Sequence, residues 1–338
     1  MIPHNLPTID VEEEESAIRV IRSKQLAQDK EVELFENEFC DFLGLPHGHA
    51  VALSSGTSSL YLALKILGSK NKKITFPGYV CSALRNAVSM VGGIENIIDV
   101  EKNSPNVNSN TLNENSSDVT IIPHMYGIPV NFKKNKSLII EDCCQALGAK
   151  INKKMVGLDG DVGIFSFYAT KLMTSGGQGG MFVSKTKEYV DAVRDYREFD
   201  LRDDTQKRFN FQMTDLQAAI GRVQLKKLPN FIRRREEIFQ YYKKAGLNLL
   251  DVDEKLLGVI EPVRYRAILK TDSPQKLIES LKTVGVDSIV PTEDWELLGK
   301  WNSLPNSLKF SRETISLPIY PSLTNEQLDI ILSGLITK

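Results

Sequence analysis

The chain has 338 residues and a net charge of −1, from 42 lysines and arginines against 43 aspartates and glutamates. This even balance argues against a basic nucleic-acid-binding protein, and no apolar run is long enough for a membrane-spanning helix, so we expect neither nucleic acid nor a membrane as a partner. The four cysteines include no C-x-x-C pair, which argues against a disulfide framework or a zinc site.

The first third of the chain reads as alternating helices and strands. The N-terminus, MIPHNLPTIDVEEEE, is acidic where a signal peptide would be basic and then apolar, so we expect a cytoplasmic protein. Residues 30–44 place Val32, Phe35 and Phe39 at helical spacing and end at Gly44, which predicts an amphipathic helix with a glycine stop. HAVALSSGTSSLYLALKILG predicts a short buried strand, a turn and a helix. KITFP, SALRNAVSMVGG and IENIIDV then predict a strand, a helix and a strand.

The middle of the chain widens this sheet. Residues 103–118 are polar, rich in Asn and Ser, and are predicted to form a loop. Three apolar runs follow, DVTIIPH, SLIIED and DVGIFSF, and GMFVS is expected to pair beside them as a further strand. KEYVDAVRDYREF predicts the next helix. The alternation of strands and helices predicts βαβ units and a mostly parallel α/β sheet.

The last third of the chain predicts a second, smaller unit. Thr214 and Gln217 form a capping box that predicts a helix start, and Pro229 predicts the end of that helix. A second helix, FIRRREEIFQYYKKAG, could link two domains. RYRAILK, PQKLIESLKTVG, VDSIVP and TNEQLDIILSGL predict an α+β domain. We therefore predict a large α/β domain over residues 1–234, including the N-terminal segment, and a smaller α+β domain over residues 235–338.

Three motifs could carry chemistry. The first is SSGTSS, residues 54–59, at a strand-to-helix junction, where free backbone N–H groups and the positive end of the helix suit a phosphate. An ordinary capped helix start is the alternative, and this feature alone favours the cap. The second is IIEDCCQALGA, which places Glu141 and Asp142 at the end of a predicted central strand, where open α/β sheets bind ligands. A solvated acid or a helix cap explains these carboxylates equally well.

The third motif brings Ser166 and Lys171 out of an apolar strand into a turn with four glycines. Desolvation beside the sheet would lower the pKa of Lys171, and the free amine could then trap an aldehyde. The glycines would let the backbone pass close to a bound ring. For this motif alone, a lysine on a flexible loop is the favoured interpretation.

Taken together, the three motifs predict pyridoxal phosphate. This cofactor needs a lysine for covalent attachment, a carboxylate for its pyridinium nitrogen and a binding site for its phosphate. The histidines suggest no competing metal site, because His4, His47, His49 and His124 lack metal-ligand spacing with nearby acids or cysteines. We expect no metal, and we expect His124 to support the end of the sheet near the cofactor.

The ordered motifs resemble a known family. SSGTSSLYLALKILG, FPGYVCSALRNAV, IIPHMYGIPVNF, IIEDCCQALGA, GDVGIFSFYATK, GGQGGMFVS, FNFQMTDLQAAIGRVQL and SLPIYPSLT together look like the DegT/DnrJ/EryC1/StrS sugar aminotransferases, over about residues 6 to 335. The resemblance implies the fold-type I aminotransferase architecture and a homodimer with active sites at the subunit interface. It also implies transfer of an amino group from glutamate to a keto-sugar, most often nucleotide-linked, in amino-sugar or surface-polysaccharide biosynthesis.

The resemblance further implies which residues form the site. Lys171 matches the catalytic lysine that forms a Schiff base with the cofactor, and Asp142 matches the acid that pairs with the pyridine nitrogen. Gln145 matches a residue near the ring hydroxyl. The implied phosphate ligands are Gly56, Thr57, Ser166 and, from the neighbouring subunit, Asn210.

The chain also departs from the family pattern. Cys81 stands where relatives often carry an aromatic ring stacked on the cofactor, with Tyr79 as a possible substitute. The segment SIVPTEDWELLGKW lacks the family's usual substrate-region pattern, and its Trp295 could stack on a base or sugar or belong to the core of the small domain. Two other functions stay open: a sugar dehydratase using the same cofactor, and a non-enzymatic regulatory protein. Lys171 argues against the first, and the intact set of Lys171, Asp142 and Ser166 argues against the second.

Overall fold

A computed structural model describes residues 1–115, 117–256 and 258–335 of the chain. The described helices are α1 Val11–Ser23, α2 Lys30–Leu43, α3 Gly56–Ile66, α4 Ala83–Met90, α5 Ser109–Glu114, α6 Lys187–Arg197, α7 Asp215–Lys244, α8 Pro274–Thr283, α9 Pro305–Arg312 and α10 Asn325–Leu335. The described strands are β1 Ala50–Leu53, β2 Lys73–Pro77, β3 Ile94–Ile98, β4 Val119–Pro123, β5 Leu138–Asp142, β6 Lys150–Ile151, β7 Lys154–Met155, β8 Val162–Ser166, β9 Gly180–Val183, β10 Ile260–Glu261, β11 Ala267–Lys270 and β12 Thr314–Leu317.

Seven strands form the central sheet, in the order β1-β9-β8-β5-β4-β2-β3. Among the described strands of this sheet, β9 alone runs antiparallel to its neighbours β1 and β8. The remaining pairs are parallel, so the carboxyl ends of β2, β4, β5 and β8 meet at one edge. The predicted mostly parallel α/β sheet is confirmed.

Alternate residues of the strands enter two separate cores. Val51 and Leu53 of β1 belong to one apolar cluster, packed with α3, α4 and α6, while Ala50 and Ala52 belong to another, packed with α2 and α7. Because successive side chains of a strand point to opposite faces, these clusters cover the two faces of the sheet. The sheet is therefore buried on both sides, and its functional groups lie at the strand ends.

Two predictions about local structure were wrong. The polar segment predicted as loop contains α5, because Asn108 accepts hydrogen bonds from the N–H groups of Asn110 and Thr111 and so caps a short helix. Ser116 of that segment lies outside the described residues. The second error concerns Pro229, which does not end a helix but lies inside the continuous helix α7. The predicted capping box of Thr214 and Gln217 at its start is confirmed.

A third apolar cluster lies in the C-terminal part of the chain. The second half of α7 contributes Ile238, Phe239 and Tyr242, which pack with β11, β12, α8 and α10. Ile2 joins the same cluster and donates its N–H to the Gly285 carbonyl at 2.7 Å. The division into domains at residues 234 and 235 falls within α7 and stays a prediction, and its last residues, 336–338, lie outside the described ranges.

None of the described helices combines the length and the apolar character that crossing a membrane requires.

Candidate active site

A cleft of about 300 Å³ opens at the carboxyl ends of β2, β4, β5 and β8. Six of the seven residues implied by the resemblance line it: Gly56, Thr57, Asp142, Gln145, Ser166 and Lys171. They come from three separate segments of the chain, which the sheet order brings together. Two other cavities, of about 290 and 520 Å³, lie beside the 101–108 segment and are lined by none of these six residues.

The N-terminus of α3 forms one end of the cleft. Ser55 caps the helix and accepts a hydrogen bond from the Ser58 N–H at 3.1 Å. A Cβ atom placed on Gly56 would lie only 2.9 Å from Cβ of Ser166, so the first turn of the helix can approach Ser166 only as glycine. This end combines a helix N-terminus with a serine hydroxyl, which suits a phosphate.

The glycine-rich turn supports this helix terminus. Gly176 and Gly177 have φ angles of +76° and +115°, which favour glycine. A Cβ atom on Gly180 would lie 2.3 Å from the Ser55 carbonyl oxygen, so β9 packs directly against the start of α3. Gly180 is thus needed for the contact between β9 and the backbone of residues 55 and 56, and clearance for a bound ring stays a prediction.

Asp142 and Gln145 follow β5 at the centre of the cleft. Oδ1 of Asp142 accepts a hydrogen bond from the Cys144 N–H at 3.0 Å, which orients a mostly buried carboxylate. Oε1 of Gln145 accepts from the Tyr126 N–H at 2.8 Å. Because the amide oxygen is used in this way, its NH₂ group remains as a donor, which suits a ring hydroxyl or phenolate oxygen.

Lys171 has a higher pKa than the sequence predicts. Burial lowers the pKa of its amine, but Tyr265, Cys144 and Asp142 surround it with groups that carry or can take negative charge, and together they raise the pKa above its usual value. Nζ of Lys171 lies over the ring of Tyr265, 5.4 Å from the centroid. Sequence reasoning missed Tyr265, since nothing in RYRAILK distinguishes it from an ordinary strand residue.

Glu141, the neighbour of Asp142, is not a cleft residue. It is 1% exposed and accepts hydrogen bonds from Nε2 of His124 at 3.1 Å and from the N–H groups of Gly157, Asp159 and Gly160. His124 does line the cleft, as predicted for a residue supporting the sheet end.

A metal ion would not suit this buried pair, although Cys143 lies close to it. Nδ1 of His124 accepts a hydrogen bond from the Val130 N–H at 2.9 Å, and the Glu141 oxygens already face backbone donors. A cation would have to displace these hydrogen bonds.

Tyr79 cannot substitute for a stacking ring. It is fully buried, accepts a hydrogen bond from the Tyr126 hydroxyl at 2.8 Å and packs against Phe310 at a centroid distance of 5.8 Å. Cys81 is exposed and lines the cleft, as does Cys144 from the end of β5. Cys81 therefore presents a small side chain at the position where relatives often carry an aromatic ring, and Tyr168 is an aromatic residue that does line the cleft.

Asn210 and Trp295 lie outside the cleft. Asn210 is exposed and accepts a hydrogen bond from the Gln212 N–H at 3.0 Å. The next residue, Phe211, accepts from the Ser54 N–H at 2.8 Å, which fixes this segment beside the end of β1. Trp295 is 76% exposed, so of its two possible roles the one in the core of the small domain does not hold.

The residues of the cleft fit pyridoxal phosphate. Lys171 supplies an amine, Asp142 a carboxylate at a strand end, and the start of α3 a terminus too tight for any residue but glycine at position 56. An amine, a carboxylate and a phosphate-binding turn in one cleft are the donor set this cofactor requires.

Comparisons with known proteins agree with this chemistry. A model of the DegT/DnrJ/EryC1/StrS aminotransferase family matches residues 7–335. The chain is 28% identical to the spore coat polysaccharide biosynthesis protein SpsC of Bacillus subtilis, over 98% of this chain and 96% of the relative. It is also 28% identical to GDP-perosamine synthase of Escherichia coli O157:H7, over 99% of this chain and 97% of the relative.

The fold matches solved structures over nearly its whole length. Spr1654 from Streptococcus pneumoniae, solved in a PMP form, superposes with a TM-score of 0.90 at 20% identity, covering 99% of this chain and 98% of the other. The PLP form of the same protein gives a TM-score of 0.87. The chain thus has the fold predicted from its sequence.

Proposed function

The chain belongs to the DegT/DnrJ/EryC1/StrS aminotransferase family, and from this membership we propose that it uses pyridoxal phosphate to move an amino group from L-glutamate to a keto-sugar. The observation that carries the proposal is the meeting of Lys171, Asp142 and the N-terminus of α3 in one cleft. A regulatory protein without chemistry would have no need of all three groups together.

Each residue has a role that follows from its position. Asp142 would hold a proton on the ring nitrogen, and bound cofactor then supplies an electron sink for the bond broken at the donor carbon. Gln145 would donate to the ring hydroxyl through its NH₂ group. Gly56, Thr57 and Ser166 would bind the phosphate. Lys171 would anchor the cofactor and, once released, would carry the proton that moves during amino transfer.

The substrates are proposed from the relatives. GDP-perosamine synthase is named for a nucleotide-linked amino sugar, and SpsC for polysaccharide biosynthesis. We therefore propose a nucleotide-linked keto-sugar as acceptor and a place in surface-polysaccharide synthesis. Glutamate as donor follows from the family reaction. A cytoplasmic location remains a prediction.

We also propose a homodimer with shared active sites. Large apolar side chains are exposed on α1 and on the segment that precedes α7: Val11, Ile18, Ile21, Phe199, Leu201 and Phe209. Contact with a second copy would cover them, since exposed apolar surface favours association. Asn210 follows Phe209 and lines no part of its own cleft, which is consistent with a role in the neighbouring subunit's site.

The test is a single half-reaction. Purified protein loaded with pyridoxal phosphate should be yellow, and glutamate should remove the visible band while one equivalent of 2-oxoglutarate forms per site. Adding keto-sugars one at a time, nucleotide-linked and free, should restore the band for the true acceptor. Lys171→Ala protein should not show the starting band. Loss of the band without 2-oxoglutarate, or full turnover by the alanine variant, would contradict the proposal.

A further inference from the structure

Tyr265 is the aromatic side chain that faces Lys171. It lies just before β11 and is only 4% exposed. Nζ of Lys171 lies 5.4 Å from the centroid of its ring, within the range of a cation–π interaction. Because the contact is shielded from water, the attraction between the ring face and an ammonium group is stronger here than on an exposed surface.

The backbone that carries this ring is fixed by several contacts. Two residues before it, Val263 donates its N–H to the Gly127 carbonyl at 3.0 Å, and a Cβ on Gly127 would lie 1.9 Å from the Val263 oxygen. The carbonyl of Tyr265 itself accepts from the buried Arg235 at 3.2 Å. The segment carrying Tyr265 is therefore held tightly against the turn that follows β4.

The segment carrying Lys171 is held as well. Asn5 donates its side-chain N–H to the carbonyl of Thr170 at 3.0 Å, and the Lys171 N–H donates to the Tyr168 carbonyl at 2.8 Å. With both backbones fixed, the long side chain of Lys171 is the mobile partner. The resting position of its amine is thus set by the groups around it.

We propose that Tyr265 is a positioning residue for Lys171, and that the face of its ring receives the ammonium group whenever the lysine is not joined to the cofactor. The inference rests on the proposed function, because a lysine that alternates between attached and released states needs a second resting place. The ring keeps the released amine beside the cleft. It also draws the amine away from Asp142, whose carboxylate is required at the ring nitrogen.

The surrounding charges are consistent with such a resting place. The electrostatic effects of Tyr265, Cys144, Asp142 and Cys81 on Lys171 oppose the effect of burial, so that the pKa of the lysine rises. Burial raises the pKa of the Tyr265 hydroxyl, but the cations Lys171 and Arg266 outweigh burial and lower it. Cζ of Arg266 also lies 5.4 Å from the Tyr265 centroid.

The test compares three substitutions in cofactor-free protein. Tyr265→Phe keeps the ring and removes the hydroxyl, whereas Tyr265→Leu and Tyr265→Met remove the ring. Reductive methylation with labelled formaldehyde over a pH series, read by mass spectrometry at Lys171, gives the midpoint at which its amine becomes free. Lys65 is an internal control, because it lies at the same 5.4 Å from the ring of Tyr196 but is exposed.

The proposal predicts that the amine of Lys171 loses its proton at lower pH in the two aliphatic variants than in wild type. At a fixed pH below the wild-type midpoint, Lys171 should therefore be methylated about three- to tenfold faster in these variants. The phenylalanine variant keeps the ring face but loses the hydroxyl charge that helps to raise the pKa of Lys171, so its midpoint should move less than in the aliphatic variants. The rate at Lys65 should be unchanged throughout. A variant that only makes Lys171 more accessible would raise its methylation rate at high pH, where the amine is fully deprotonated, without moving the midpoint. An unmoved midpoint in both aliphatic variants, or a phenylalanine variant that shifts as far as they do, would overturn the proposal.

A measurement on the wild-type chain covers the case in which the aliphatic variants do not fold. The ring should shift the ε-methylene proton resonance of Lys171 upfield of those of exposed lysines, with assignment by Lys171→Arg. A resonance among those of exposed lysines would overturn the proposal. Both experiments use protein without cofactor or substrate, so they can fail while the proposed aminotransferase reaction stands, and the glutamate experiment can fail while they succeed.

Discussion

Glu141 is a buried carboxylate that remains ionised. Burial alone would raise its pKa, but His124 and the N–H groups of Gly157 and Gly160 outweigh burial and hold the pKa below its usual value. A depressed pKa means that the carboxylate stabilises the fold above pH 4.5, its ordinary value, and that this contribution is lost as pH falls through the lowered pKa. The carboxylate next to Asp142 is therefore structural.

Glu141→Gln should lower the free energy of unfolding by about 2–4 kcal/mol, because an amide NH₂ would face backbone N–H groups. Urea unfolding of wild type and variant between pH 3 and pH 7 measures this difference in the free energy of unfolding. The variant should also lose part of the acid sensitivity of wild type. Glu15→Gln, at an exposed position of α1, is the control and should change little. Equal stability of the Glu141 and Glu15 variants would show that the buried network contributes nothing.

Cys81 lines the cleft at the position where relatives often carry an aromatic ring. Cys81→Phe should slow the release of pyridoxal phosphate about tenfold, because a stacked aromatic pair contributes about 0.5–1.5 kcal/mol beyond area burial. The loss of visible absorption after dilution measures the rate. Cys81→Ala keeps the backbone and should release the cofactor about as fast as wild type. Faster release from a folded phenylalanine variant would mean that this side chain does not face the ring.

At the scale of elements, the start of α3 depends on β9. Gly180→Ala should weaken binding of pyridoxal phosphate at least tenfold, since the added Cβ would collide with the Ser55 carbonyl and displace the helix terminus. Gly177→Ala is the matched control in the same turn, because it strains a φ of +115° but meets no atom within 4 Å. Titrating both variants with the cofactor measures the difference. Similar weakening in both would assign the effect to strain in the turn.

Some of the helices and strands could be predicted from the sequence and others could not. The seven strands of the central sheet and the helix stop at Gly44 follow from local periodicity and were predicted correctly. Pro229 was misinterpreted because α7 packs along α1 and α2 and carries a proline that would end an isolated helix. Tyr265 and the partners of Glu141 could not be predicted, since their contacts join distant segments that only the fold brings together.

At the scale of the molecule, the proposed dimer makes each site depend on two chains. Lys171→Ala and Asn210→Ala should each lose most activity alone. If Asn210 acts in the neighbouring site, a mixed dimer has one site with both residues intact, so random re-association should restore about a quarter of wild-type activity. Refolding the two chains together and assaying the mixture measures this. An isolated mixed dimer without activity would place Asn210 in its own chain's site, and an Asn210→Ala protein that is fully active alone would place Asn210 outside catalysis.

The measurement that tests the central claim most directly is the location of the cofactor. The protein is incubated with pyridoxal phosphate, reduced with borohydride and digested, and the modified peptide is identified by mass spectrometry. The account predicts one phosphopyridoxyl group per chain, on Lys171, with none on that peptide in Asp142→Ala protein at a limiting concentration of cofactor. A modification spread over exposed lysines, or fixed on a different single lysine, would contradict it.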